Sequence, residues 1–313
     1  MARRIIIDTD PGQDDGVAIL LALASPEDVE VMALVAVAGN VPLAKTAENA
    51  RKILDLAGRS DIPVYAGCER PLMRTLVTAE HVHGETGLDG PSFGTPVVPL
   101  QPEHGVDYLV DTLARAADRS VTVCCLGPLT NLAMALVKAP AAARAVDEVV
   151  LMGGAYFEVG NITPAAEFNI YVDPEAADIV LRAGLRVTML PLDVTHGVLS
   201  TPKRLAAIQA LGTRCGTAAA EMLRFSERFD LKKYGWSGAP LHDPNVIAWL
   251  IDPGLYEGRA INVTVETASP LTRGMTVADY WRVTDRPANV YYVRTADADG
   301  FYRLLTQRLA RLP

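Results

Sequence analysis

Short β-branched runs alternate with Ala- and Leu-rich stretches along most of the chain. The run 5–7 is followed by a stretch of helical period over 15–24 and then by a second apolar run at 31–36. This alternation predicts β-α-β units, whose parallel strands need helices as crossovers. Further strands are predicted at 121–126, 148–152, 186–190, 261–267 and 289–293, with helices at 43–56, 130–138, 174–183 and 297–309. No internal repeat, low-complexity tract or Ser/Gly-rich linker interrupts the pattern. One α/β domain over 1–313 is therefore expected, with a mostly parallel central sheet flanked by helices around a Rossmann-like core. The pattern fails between Pro71 and Pro102, where Pro91, Pro96 and Pro99 mix with Gly84, Gly87, Gly90 and Gly94. Loops of such length in compact domains tend to carry function, and this one holds His81 and His83.

Composition adds exclusions. Half of the 313 residues are hydrophobic and 21% are charged, which supplies a large core and excludes a disordered chain. The 37 Asp and Glu outnumber the 29 Lys and Arg, for a net charge of -8, and no basic run appears. A nucleic-acid partner is not expected, because a phosphate backbone needs clustered cations. The apolar runs fall far short of the roughly 18 residues that cross a bilayer, so no membrane partner is expected either. The first residues, two arginines and three isoleucines before Asp8, read as a strand rather than a leader. Cys124 and Cys125 are neighbours in an apolar run, and Cys68 and Cys215 stand alone without metal-site spacing, which suits a reducing, cytoplasmic setting.

Candidate chemistry begins where the first strand ends, in the run from Asp8 to Asp15. A strand period of two puts Asp8 and Asp10 on one face, Pro11 and Gly12 turn the chain, and Asp14 and Asp15 open the next helix. Sites in open α/β sheets lie beyond the carboxyl ends of strands, so four carboxylates are expected to converge there. Like charges at that density repel unless a cation neutralises them, and all-oxygen donors suit a hard ion, Ca²⁺ or Mg²⁺. Helix capping and dipole matching account for Asp14 and Asp15 taken singly, but poorly for four aspartates within eight residues.

The stretch 8–18, Asp-Thr-Asp-Pro-Gly-Gln-Asp-Asp-Gly-Val-Ala, resembles the signature of the inosine-uridine nucleoside hydrolases, whose aspartate cluster holds Ca²⁺. Four further segments resemble that family in the same order. They are Val-His-Gly-Glu-Thr-Gly-Leu-Asp-Gly-Pro at 82–91 and Leu-Gly-Pro-Leu-Thr-Asn-Leu-Ala at 126–133. Then come Met-Gly-Gly at 152–154, continuing to Asn161 and Ala-Glu-Phe-Asn-Ile-Tyr-Val-Asp-Pro at 166–174, and Gly-Ala-Pro-Leu-His-Asp-Pro at 238–244. The resemblance spans essentially the whole chain. It implies the nucleoside hydrolase fold and Ca²⁺-dependent hydrolysis of ribonucleosides to ribose and free base, in purine and pyrimidine salvage. It also implies a small-molecule ribonucleoside as partner and a homodimer or homotetramer as assembly.

By that resemblance Asp10, Asp15 and Asp243 are carboxylate ligands of Ca²⁺, and the main-chain carbonyl of Leu126 adds another. Position 126 is often threonine in relatives, a change of little weight for a main-chain ligand. Two ribose hydroxyls and a water complete the implied shell. Asp10 is implied as the general base for the metal-bound water, which attacks C1′ directly, with inversion and no covalent intermediate. Asp14, Asn40 and Asn169 match positions that bind ribose hydroxyls, and Asn161 and Glu167 match those that hold the 5′-OH. Asn40 also fits a plain turn residue after Gly39, and Glu167 and Asn169, two apart in an extended segment, fit a polar strand face.

His83 and His242 are both implied near the nucleobase. In relatives with the His-Asp pair of 242–243, the histidine is implicated in protonating the leaving group, a task that suits an imidazole titrating near neutrality. His81, His104 and His196 have weaker claims. Residues 221–234, with Phe225, Phe229 and Tyr234, match a mobile segment over the base, although an amphipathic helix packing its aromatics accounts for them equally.

Two other functions fit parts of the pattern. A hydrophobic strand ending in Asp-x-Asp suits a haloacid-dehalogenase-like phosphohydrolase with a nucleophilic aspartate and Mg²⁺, but that chemistry has no role for the His-Asp-Pro segment. A non-catalytic Ca²⁺-dependent nucleoside-binding protein would use the same diol clamp and would need neither an activated water nor His242.

Overall fold

The computed structural model describes residues 2–313. Its strands are β1 (Arg3–Thr9), β2 (Val29–Ala36), β3 (Val64–Ala66), β4 (Val121–Cys125), β5 (Val146–Met152), β6 (Val187–Leu190), β7 (Leu199–Ser200), β8 (Ala239–Pro240), β9 (Tyr256–Val265), β10 (Thr276–Asp279) and β11 (Val290–Ala296). Nine of them form one sheet in the order β10-β9-β11-β6-β5-β4-β1-β2-β3, with β7 and β8 as a separate antiparallel pair. Every neighbouring pair from β11 to β3 is parallel, and β9 and β10 join antiparallel at one edge.

The period of two divides β1 between two cores. Ile5 and Ile7 pack with Val17, Leu20, Ile53 and Phe301 on one face, and Ile6 with Leu109, Leu132 and Val180 on the other. Helices therefore cover both faces, which is why β4 carries five buried residues in a row. No helix among the described residues is long and apolar enough to cross a membrane.

Helix Thr130–Lys138 has the limits its pattern predicts. The first helix starts earlier than predicted, at Gln13 (Gln13–Leu23), because Gly12 is its N-cap and the Asp15 carboxylate accepts the Gly12 N–H at 3.0 Å. The expectation of an extended segment at 167–169 is corrected: Phe168–Val172 is one turn of helix. Glu167 caps it, accepting the N–H groups of Asn169 at 2.8 Å and Ile170 at 3.2 Å, and this local capping outweighs the apparent alternation.

Candidate active site

The sheet order reverses at β1, which has β4 on one side and β2 on the other, so a crevice opens beyond these strand ends. The chain leaving β1 delivers Asp10, and the chain leaving β4 delivers Leu126. A cavity at this place is lined by Asp14, Asn40, His83, Leu126, Asn161, Glu167, Asn169, His242 and Asp243. The remaining two residues singled out from the sequence, Asp10 and Asp15, have no exposed surface. Both are bonded to the lining residue Asn40, whose N–H donates to Asp10 Oδ2 at 2.7 Å and whose Nδ2 donates to Asp15 Oδ2 at 3.2 Å.

Asp14, Asp15 and Asp243 each place a carboxylate oxygen within 4.8 Å of the others. This close triple differs from the ligand set implied by resemblance, with Asp14 in the place of Asp10. Asp15 is tied down by the Thr9 hydroxyl and the N–H groups of Asp10 and Gly12. Asp10 Oδ1 is buried and has no hydrogen-bond donor among the described residues. Gly39 and Gly127 press on the same carboxylate: a Cβ would sit 2.0 Å from Asp10 Oδ2 at the first and 2.2 Å from Oδ1 at the second.

Asp8 stays out of the cluster, so the expectation that four N-terminal carboxylates converge is corrected to three, joined by Asp243 from the far end of the chain. Asp8 lies within β1, in register with Val35 and Cys125, and its Oδ1 accepts from Asn131 Nδ2 at 2.8 Å.

Burial lifts Asp10, Asp14, Asp15 and Asp243 above the usual carboxylate range, and repulsion from neighbouring aspartates adds to it at Asp10, Asp15 and Asp243. Burial likewise pushes Asp8 and Glu167 up to about 7. A buried oxygen without a donor, beside three crowded carboxylates, fits a cation, and oxygen-only donors fit a hard one.

The linkage has a definite sign. A carboxyl whose folded value is raised stabilises the fold below its unfolded value of roughly 4 and loses that stabilisation as pH rises through the folded value. The rise in Tm on adding Ca²⁺ should therefore be larger at about pH 8 than at about pH 5, when melts with Ca²⁺ are compared with melts in chelator. Equal increments at the two pH values would remove the cation from this cluster.

The two histidines are held by different partners. Gln13 Nε2 donates to the carbonyls of His83 at 2.8 Å and Asp89 at 3.0 Å, so Gln13 Oε1 is left to accept from His83 Nδ1 at 2.7 Å. His242 Nδ1 lies 2.8 Å from Thr195 Oγ1. Burial pushes His83 down to about 4 and His242 to about 3, with His196 and His83 adding to the effect at His242. Neither is an imidazolium at neutral pH, in contrast to the near-neutral titration expected from sequence.

Other lining groups are partly committed to the fold. Glu167 also accepts the Gly154 N–H at 2.9 Å, Asn161 Oδ1 accepts the Phe168 N–H at 2.9 Å, and Asn169 Nδ2 donates to the Leu126 carbonyl at 2.7 Å. Helix Arg214–Tyr234 supplies one wall through Ser226, Phe229, Asp230, Lys233 and Tyr234, a spacing that marks one helix face. Phe225 does not line the cavity; the Arg228 guanidinium covers its ring. His81 lines the cavity and packs edge-on against Phe229. His104 caps helix Gly105–Arg115, and His196 faces Glu158 at 3.2 Å. Gln13, Thr195 and Asp230 were missed from sequence. Gln13 lies inside the aspartate motif, whereas the other two carry no local signal.

The family model described as inosine-uridine preferring nucleoside hydrolase matches residues 5–303. An uncharacterized protein of Schizosaccharomyces pombe is 52% identical over 310 residues, 99% of this chain and 100% of its own length. The pyrimidine-specific ribonucleoside hydrolase RihA of Photobacterium profundum is 46% identical over 311 residues, 99% of each chain. Among solved structures, the purine-preferring ribonucleoside hydrolase from Gardnerella vaginalis superposes with a TM-score of 0.91 at 32% identity, covering 98% of both chains.

Proposed function

This chain belongs to the inosine-uridine preferring nucleoside hydrolase family and is an N-glycosyl hydrolase of ribonucleosides, and we propose that it works with Ca²⁺ held by Asp10, Asp15, Asp243 and the Leu126 carbonyl. The observation that carries this reading is the buried Asp10 oxygen without a donor, set beside the carboxylates of Asp14, Asp15 and Asp243. When bound, such a cation neutralises the cluster, clamps a ribose diol and makes a water easier to deprotonate.

The residues then divide the work. Asp10 takes a proton from the attacking water, and the surrounding carboxylates stabilise the positive charge that develops at C1′. Asp14, Asn40 and Asn169 read the ribose hydroxyls, and Asn161 and Glu167 hold the 5′ end. His242 and His83 meet the base. The names of the relatives support uridine and cytidine as first substrates, and the purine-preferring neighbour supports inosine beside them. Release of free base is the chemistry that nucleoside salvage requires, and it supports that setting.

His242 is read as the donor to the departing base. His242→Ala is expected to slow uridine hydrolysis by about 10² to 10⁴, mostly in kcat. p-Nitrophenyl riboside, whose leaving group needs little help, should react at nearly the wild-type rate. Equal slowing of both would mean that His242 only supports Asp243.

The test of the function is a panel of inosine, adenosine, guanosine, uridine and cytidine with Ca²⁺, followed by chromatography. Ribose and free base are expected from at least one. Phosphatase activity without base release would revive the phosphohydrolase reading, and nucleoside binding without turnover would make the protein a binder. The free thiols of Cys68, Cys124, Cys125 and Cys215 support a cytoplasmic setting. Trp281 and Val283, 70% and 85% exposed just after edge strand β10, support a homodimer or homotetramer, which light scattering would count.

A further inference from the structure

We propose that Thr195 is a positioning residue of this site, whose hydroxyl donates to His242 Nδ1 and so holds the imidazole as the tautomer with its proton on Nε2, toward the cavity. The inference rests on the reading of the cavity as a ribonucleoside hydrolase centre.

The direction of the bond follows from counting donors. The Thr195 side chain is fully buried and, among the described residues, His242 is the hydrogen-bond partner of its hydroxyl. If Nδ1 carried the proton and donated to the hydroxyl, the hydroxyl hydrogen would be buried with no acceptor. With the hydroxyl donating, both groups are satisfied. Nδ1 is then an acceptor, and a neutral imidazole must carry its one proton on Nε2.

Nε2 is not taken up elsewhere. The His242 ring makes one side-chain hydrogen bond among the described residues, through Nδ1 to Thr195, and the centroid of the neighbouring His196 ring lies 6.0 Å from its own. The His196 Nδ1 faces Glu158, and its Nε2 has no hydrogen-bond partner among the described residues. The His242 side chain lines the cavity while Thr195, against its Nδ1 edge, does not. The opposite ring edge therefore faces substrate.

His83 is held the other way, since Gln13 fixes its proton on Nδ1 and leaves Nε2 as an acceptor. The cavity thus offers one imidazole donor and one imidazole acceptor. A departing base gains electron density and needs the donor. The hydrogen bond from Nε2 stabilises that charge without the imidazole giving up its proton. In the overall hydrolysis the hydroxyl of water goes to C1′ and its proton ends on the base.

Thr195 itself is set firmly enough for this task. It ends the short helix Leu192–Thr195 after β6, its N–H donates to the Pro191 carbonyl at 3.2 Å, and its own carbonyl accepts the Val198 N–H at 3.0 Å. Within the same turn Asp193 accepts the Tyr292 hydroxyl and the N–H groups of Tyr156 and Phe157.

Thr195→Val keeps the shape and removes the hydroxyl, and Thr195→Ser keeps the hydroxyl. The Val variant should lose about tenfold to a hundredfold in kcat on uridine with KM little changed, and p-nitrophenyl riboside should react at nearly the wild-type rate. The Ser variant should recover most of the uridine rate. In a His242→Ala background Thr195→Val should slow uridine no further, because it acts through the imidazole. Side-chain ¹⁵N shifts of His242 in the wild-type protein should show a protonated Nε2 and an unprotonated Nδ1, a readout independent of how the variants fold. A protonated Nδ1, a Val variant with wild-type uridine kinetics, or equal slowing of both substrates would overturn the inference. If the wild-type protein released base from no ribonucleoside, the hydrolase reading would fail by itself, while the ¹⁵N shifts would still decide the tautomer.

Discussion

Asp10→Asn is expected to lower turnover by about 10⁴ with the fold intact. The substitution is nearly isosteric, and one oxygen can still accept the Asn40 N–H now held at 2.7 Å by Oδ2. The other position, Oδ1, is the buried atom without a donor. Placing an NH₂ group there removes a negative charge and turns a donor toward the place of the cation. On the proposed mechanism it also removes the base that accepts the proton of water. The same change relieves repulsion with Asp15 and Asp14, which with burial holds Asp10 above the usual range. The Ca²⁺-free variant should therefore melt no lower than the Ca²⁺-free wild type. Kinetics at saturating Ca²⁺ beside melts in chelator check both halves, and near wild-type kcat in the loaded variant would sink the role of Asp10.

2′-Deoxyuridine is expected to be hydrolysed about 10⁴-fold more slowly than uridine. The groups assigned to the hydroxyls are held by the protein and not by substrate. Asn40 Nδ2 is tied to the Asp10 carbonyl at 3.1 Å as well as to Asp15, and Asn169 Nδ2 to the carbonyls of Leu126 and Met152. Side chains fixed in this way cannot turn to satisfy themselves when a hydroxyl is missing, so the unpaired polar groups fall on the transition state. Parallel kcat/KM measurements on the two nucleosides test it, and equal values would overturn the ribose assignment.

The parts legible in the sequence are those that local pattern controls. Alternating apolar runs placed most strands of the parallel sheet, and the aspartate run after β1 marked the crevice where its order reverses. The three-residue β3 is too short to show a period, and the four-residue β10 is an edge strand paired with β9. Alternation puts Glu167 and Asn169 on a strand because it does not register a carboxylate that caps its own helix. Asp8 looks equivalent to Asp10 in the sequence, but it lies within β1, where Asn131, 123 residues away, bonds one of its carboxylate oxygens. Thr195 and His242, 47 residues apart, and Gln13 and His83, 70 apart, meet only through the fold. The residues assigned as ligands lie in motifs; of the two residues that orient the histidines, Gln13 lies inside one and Thr195 does not.

The account meets its most direct test in uridine hydrolysis by one protein sample, assayed with Ca²⁺, after chelation and after Ca²⁺ is returned. Free uracil and ribose should appear in equal amounts with Ca²⁺, nearly cease on chelation and return with the ion. Base release that continues at full rate in the chelated protein would contradict it.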